Sequence, residues 1–260
     1  DKNNEDIAMA KKFDTSKIIE PIMRFVNMKG VIALKDGMLA ILPLTVIGSV
    51  FLIIGQIPSE AINTAIAGVF GKSWTEPFMQ VHAGTFAIMG LIACFSIGYA
   101  YAKNERIEPL PSGVLSVAAF FITLRSSFTT PDGETVDALA RVWFGGQGIV
   151  GAIIIGLSVG AIYSFFIKNN IVIKMPKQVP DAISKQFAAM IPAFAIFLLS
   201  MIVYIVAKAA SGGTFIEWIY SVIQVPLQGL SDTLPGVIGI AFFISFLCWF
   251  GVHGQSVVNG

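Results

Sequence analysis

The chain has 260 residues, of which 55% are hydrophobic and 13% charged, with a formal net charge of +1. Soluble domains are about a quarter charged, so this composition leaves too little polar surface to cover a water-soluble globule. The near-zero charge gives no bulk attraction to nucleic acid, and a mean hydropathy of +0.77 points to a multi-span membrane protein.

The N-terminal residues DKNNEDIAMAKKFD are polar and charged. They lack the apolar core of a signal peptide and read as a cytoplasmic tail. In 16–35, Lys17, Glu20, Arg24 and Asn27 recur every three or four residues, which predicts an amphipathic helix that Pro21 starts or interrupts. Such helices tend to lie in the membrane interface.

A spanning helix needs about 20 mostly apolar residues. Six stretches approach that, over 37–55, 78–101, 110–124, 144–167, 187–207 and 235–252. The third is the shortest, with Pro111 in what would be its first helical turn, where proline is tolerated. The fourth carries Gly156 and Gly160, a small-xxx-small pair that lets helix backbones approach closely. A second amphipathic stretch, 213–230, opens on Thr214 and Glu217, the spacing of a capping box, and Pro226 should bend it. The fold class predicted is all-α, a polytopic transmembrane protein with six spans and amphipathic interfacial helices.

Lysine and arginine set the orientation. With the N-terminus cytoplasmic, 13 of these cations fall on inside segments, and only Lys72, Arg125, Arg141 and Lys208 fall outside. The loop with Asp132, Glu134 and Asp137 is then external, and the loop from Lys168 to Lys185 internal.

Common soluble-enzyme motifs are missing: there is no phosphate-binding GxxxxGK[ST], no HExxH, no CxxC and no GxSxG. Cys94 and Cys248 lie in separate apolar runs and read as packing residues, so neither a disulfide framework nor a metal site is expected, and no cofactor. Of two histidines, His82 reads as a capping or interfacial group near the start of the second span. His253 stands where the sixth span breaks into GVHGQSVVNG. Gly251 and Gly254 release the backbone there, and Gln255, Ser256 and Asn259 supply donors and acceptors. Two readings remain open. One is a broken helix lining a transport site, with Trp249 offering an apolar face to a sugar ring. The other is a glycine-capped helix end with a histidine at its negative pole.

The segment FGVHGQSVV, preceded by Trp249, resembles the GIHG segment of EIIC, the membrane component of bacterial phosphotransferase sugar transporters. The lactose, cellobiose and diacetylchitobiose family is the best fit. IKMPKQVPDAISKQFAAMIP resembles that family's loop between its fourth and fifth spans, and LPSGVLSVAAFFI its third span. ALKDGMLAILPLTVIGSVFLII resembles its first span, with Lys35 where the family usually has arginine.

The resemblance implies a ten-span homodimer, of which this sequence is the N-terminal part. It implies a division into a tail and amphipathic helix over 1–35, a five-span scaffold and dimerisation domain over 36–209, and the start of a mobile sugar-transport domain over 210–260. The partners implied are a disaccharide, a phosphorylated EIIB subunit and membrane lipid, in the bacterial plasma membrane. His253 then matches the family's histidine beside the sugar, with Gly254, Gln255, Trp249 and Asn259 around it. The family's other key group, a glutamate in an NEP segment, has no counterpart in this sequence. A sugar facilitator without phosphorylation and a non-transporting membrane scaffold are the rival readings.

Overall fold

The computed structural model describes residues 23–176 and 178–226, together with 238, 239 and 241. A helical turn over 23–26 leads into α1 (Lys29–Gly55), which Pro43 does not break. The first span thus starts earlier than its apolar run: the end of the amphipathic stretch, from Lys29 to Lys35, is the first two turns of α1. A polar first turn can stay outside hydrocarbon while the helix beneath it continues.

Helix α2 (Glu60–Phe70) is capped by Ser59, whose hydroxyl oxygen accepts from the Ile62 N–H at 3.5 Å. The second apolar run is not one helix. It comprises α3 (Glu76–Gly84), a 3-10 turn at Phe86–Ile88 and α4 (Met89–Asn104). The break is at Thr85, with φ −126° and ψ −88°, and its hydroxyl donates to the Val81 carbonyl at 2.6 Å. Gly48 of α1 faces this break: a Cβ there would lie 2.8 Å from the Phe86 nitrogen.

Helix α5 (Pro109–Ile122) begins with two prolines in its first turn, where the missing N–H costs nothing. It has 14 residues, too few to cross hydrocarbon as a straight helix. The loop after it is not structureless. Strands β1 (Ser127–Thr129) and β2 (Thr135–Asp137) pair antiparallel, with Phe128 opposite Val136, a small departure from the all-α prediction. Two 3-10 turns then lead into α6 (Ile149–Lys168). Helix α7 (Asp181–Ala188) and α8 (Met190–Ser211) follow with one residue between them, and Gly212 closes α8 in the left-handed conformation at φ 69°.

Among the described residues, four helical segments are long and apolar enough to cross a membrane: Lys29–Gly55, Glu76–Asn104, Gly146–Lys168 and Ile183–Ser211. The sixth predicted span, 235–252, lies almost wholly outside the described residues.

Helix α4 is central. On one side Met38, Ile41, Ala93, Ile97 and Ile149 form a cluster joining α1, α4 and α6. On the other, Cys94, Leu115, Phe120, Ile155, Tyr163 and Ile196 join α4, α5, α6 and α8. In lipid the apolar effect does not favour helix pairing, so close packing and hydrogen bonds must hold the bundle. Both are visible. A Cβ on Gly156 of α6 would lie 2.8 Å from the Cys94 carbonyl oxygen, and one on Gly160 would lie 2.5 Å from the Tyr101 Cβ. The small-xxx-small pair therefore packs within this chain, against α4. Between α5 and α4, the Ser112 hydroxyl donates to the Gly98 carbonyl at 2.7 Å, and the Cys94 thiol donates to the Ser116 carbonyl at 3.3 Å.

Candidate functional site

The chain reversals gather Lys29, Lys35, Lys103, Arg106, Lys168 and Lys185 at one end of the bundle. Lys72, Arg125, Arg141 and Lys208 lie toward the other. This matches the grouping expected from the sequence, and each end carries its own polar arrangement.

At the lysine-rich end the chain turns after α4 and after α6 in the same way. Arg106 and Asn170 adopt φ values of 59° and 55°, and the next amides reach back to carbonyls five residues earlier, Ile107 to Ala102 and Ile171 to Phe166. This helix-ending motif leaves Glu105 at the C-cap of α4. Its side chain is only 8% exposed and pairs with two cations. Lys29 of α1 comes within 2.8 Å, and Lys168 of α6 is its second partner. Hydrogen bonds from Lys168 and then Lys29 hold the Glu105 carboxyl below the usual carboxylate range, against the opposing effect of its desolvation. One carboxylate thus clamps three helices. Beside it, Lys185 meets Glu108 at 3.0 Å, and the Asn104 amide donates to Asp36 at 2.9 Å. These are ties between elements; no nucleophile or acid–base pair is assembled among them.

At the other end, the chain leaves α8 for the C-terminal segment. Thr214 and Glu217 form the capping box expected from their spacing. The Thr214 N–H donates to the Glu217 carboxylate at 2.7 Å, and the Glu217 N–H donates to the Thr214 hydroxyl at 3.4 Å. The same carboxylate accepts from Arg125 at 3.3 Å, and the Arg125 guanidinium stands 5.9 Å from the centre of the Phe128 ring in the hairpin. The capped helix α9 (Phe215–Ile219) then widens into a π-turn over Tyr220–Gln224. Such turns often mark functional sites. Gln224 is fully buried and donates its amide to the Gly146 carbonyl at 3.1 Å, while Tyr220 packs edge-on against Trp143 at 5.6 Å. This seat anchors the end of the π-turn against the turn just before α6. Pro226, expected to bend the helix, is the last residue of the described stretch 178–226.

His253, Gly254, Gln255, Trp249 and Asn259, the site residues taken from the sequence, lie outside the described residues, as does Cys248. His82 occupies the last turn of α3 rather than the start of a continuous span. Its ring stacks on Phe86 at 5.4 Å, and its Nδ1 is buried without a hydrogen-bond partner, so it is part of the packing at the break. Cys94 is buried, as its apolar context predicted. Among the described residues, no three His, Cys, Asp or Glu side chains are placed to hold a metal. The Glu105 clamp was not anticipated. The only signal in the sequence was a glutamate between Lys103 and Arg106, and nothing there pointed to its distant partners.

The family profile for "Phosphotransferase system, EIIC" matches residues 35–260. The lichenan permease IIC component of Bacillus subtilis is 33% identical over 94% of this chain and 55% of its own length. The cellobiose-specific EIIC component of Geobacillus stearothermophilus is 30% identical over 88% of this chain and 52% of its own. The lactose-specific EIICB component of Lacticaseibacillus casei is 30% identical over 96% of this chain and 42% of its own. Among solved structures, the crystal structure of ChbC, the IIC component of the N,N'-diacetylchitobiose-specific phosphotransferase system, superposes with a TM-score of 0.79 at 29% identity. The alignment covers 94% of this chain and 58% of that one. The chain therefore spans about half the length of the curated relatives it matches. Its apolar helices suit a multi-pass protein of the bacterial cell membrane. By that profile and those relatives, the chain belongs to the EIIC family of the phosphotransferase system.

Proposed function

We propose that this chain is the N-terminal part of an EIIC permease that binds a disaccharide of the cellobiose, chitobiose or lactose type and carries it inward for phosphorylation by EIIB. The observation that carries this reading is the family match over residues 35–260, which runs through the His253 motif. Relatives named for lichenan, cellobiose, lactose and diacetylchitobiose all handle glycosides of two or more units, which favours that substrate class. The EIICB name of the lactose relatives favours an EIIB partner.

The whole protein then has ten spans, six of them begun here, and works as a homodimer with the N-terminus in the cytoplasm. Residues 36–209 are the scaffold, and 210–260 open the transport domain. His253 hydrogen-bonds beside the hydroxyl that accepts the phosphoryl group, with Gly254, Gln255, Trp249 and Asn259 around the sugar. The sugar 6-oxygen forms the new O–P bond, the S–P bond of the EIIB phosphocysteine breaks, and the hydroxyl proton leaves to solvent or base. Positioning and charge stabilisation are enough for such a transfer, so the chain supplies a binding site and EIIB the donor. The product gains about −1.5 to −2 charge, which bars its return through hydrocarbon.

The test is uptake of labelled cellobiose, chitobiose and lactose into vesicles holding the full-length protein, with phosphorylated EIIB inside. Trapped sugar phosphate is expected for at least one of them, and His253→Ala should abolish it. Entry of unmodified sugar alone would mark a facilitator instead. No binding of any of these sugars, with His253→Ala indistinguishable from wild type, would mark a scaffold.

A further inference from the structure

A cleft of about 350 Å³ opens between α1 and α4 at the lysine-rich end of the bundle. That is the size of a small-ligand site. Its mouth is lined by Asp36, Lys103 and Asn104, and its inner wall by Phe95, Ser96 and Tyr99. Phe95 and Asn104 are nine helical residues apart, so the cleft runs about 14 Å from the charged end toward the apolar middle. The wall is firm. Phe95 and Tyr99 lie nearly parallel, 6.1 Å apart, and Gly113 of α5 leaves the space behind Phe95, where a Cβ would come within 2.7 Å of the ring.

The mouth carries both signs of charge. The Asp36 carboxylate is oriented by the Asn104 amide at 2.9 Å, and its other contact, Lys35, is 3.8 Å away. Lys103 has no acidic partner among the described residues, whereas nearby Lys29, Lys168 and Lys185 are all engaged by Glu105 or Glu108. An acid and a lysine without an acidic partner among the described residues, above an aromatic wall at the end of two apolar helices, complement a zwitterionic headgroup with its acyl chain running down the helices. Basic pockets between spanning helices are known to take phospholipid headgroups.

We infer that this cleft is a binding site for phosphatidylethanolamine, with the lipid phosphate on Lys103, its primary ammonium on Asp36, and the start of an acyl chain against Phe95 and Tyr99. The ammonium contact sets the specificity. Phosphatidylglycerol has no ammonium, and phosphatidylcholine has one with no N–H to donate. The inference rests on the membrane setting of α1 and α4 and is independent of sugar transport.

The test places full-length protein in nanodiscs with phosphatidylethanolamine bearing a photoactivatable group near the top of one acyl chain. Labelling should fall on the peptide containing residues 95–104. Unlabelled phosphatidylethanolamine should compete about tenfold better than phosphatidylglycerol, the worth of one charge-assisted hydrogen bond. Asp36→Asn, which keeps an acceptor for Asn104, should erase that preference, and Lys103→Gln should weaken both lipids alike. Lys103 is exposed and has no acidic partner among the described residues, so Lys103→Gln keeps the test alive if Asp36→Asn does not accumulate. Equal competition by the two lipids would overturn the proposal. So would labelling confined to other peptides, as expected if the rest of the chain or a second copy fills the cleft. Equal competition by soluble glycerophosphoethanolamine would overturn it too, since the site would then hold a free headgroup and not a lipid.

Discussion

Helices α4 and α6 and helices α1 and α8 are all apolar, yet they occupy the bundle differently. The most apolar stretches of the segments containing α1 and α8 have mean hydropathy 2.5 and are 22% buried; those containing α4 and α6 have 1.7 and 2.2 and are 39% and 50% buried. The less hydrophobic pair is the more deeply packed. Hydropathy reports how well a helix tolerates lipid, while glycine and serine report where another backbone can come close. The outer pair presents Val46, Ile53, Phe194 and Val206 outward, and the inner pair hides Gly98, Gly156 and Gly160.

That contrast can be broken most sharply where outer meets inner. A Cβ on Gly37 of α1 would lie 2.6 to 2.8 Å from the side chain and backbone of Ile97 in α4. Backbone cannot swing aside, so Gly37→Ala should cost about 1–3 kcal/mol. Thermal unfolding in detergent would show it as a lowered midpoint, and an unchanged midpoint would mean that α1 is loosely held.

The capping box gives a smaller, local effect. Thr214→Ala should cost about 1 kcal/mol. Faster amide exchange at Glu217 and Trp218 is expected, with α4 and α6 still protected; loss of protection across the bundle would contradict a local role.

The Glu105 clamp sharpens the comparison by acidity. Its carboxyl is held below its ordinary value of 4.5, so the folded state keeps it charged where the unfolded chain would protonate it. Its ion pairs contribute fully above that ordinary value and are lost as pH falls through the depressed one. The wild-type melting temperature should decline across that window. Glu105→Gln should remove this part of the decline and lower stability above it, by less than Gly37→Ala because both lysines are substantially exposed. A slope unaltered by the substitution would leave the clamp without energetic weight.

The smallest effect belongs to the outer surface. Ile53 is 68% exposed, and Ile53→Ala should move stability by no more than about 0.5 kcal/mol in detergent. A larger loss would show that another surface covers this face of α1 in the whole protein.

Some features were legible from residue spacing alone. Thr214 and Glu217 announced a cap because both partners of that motif lie within one helical turn. Pro111 marked the start of α5 because proline is tolerated in a first helical turn. The break at Thr85 was hidden, since nothing in an apolar run signals that Gly48 of another helix packs against it. The β1–β2 hairpin was hidden as well, because three-residue strands leave too short an alternation to read. The candidate sugar site was legible only through its resemblance to a family, since the GVHG spacing alone fitted a capped helix end equally well.

The sequence by itself determined the membrane class, most helix positions, the sorting of cations to opposite ends and the family. The first three follow from composition or from spacing within a turn or two, and the family from motifs matched in order along the chain. Only the tertiary structure decided that Gly156 faces α4, that Glu105 joins Lys29 to Lys168, and that Gln224 seats on Gly146. Those pairings join residues tens of positions apart, and their partners are chosen by which helices the closed bundle brings side by side.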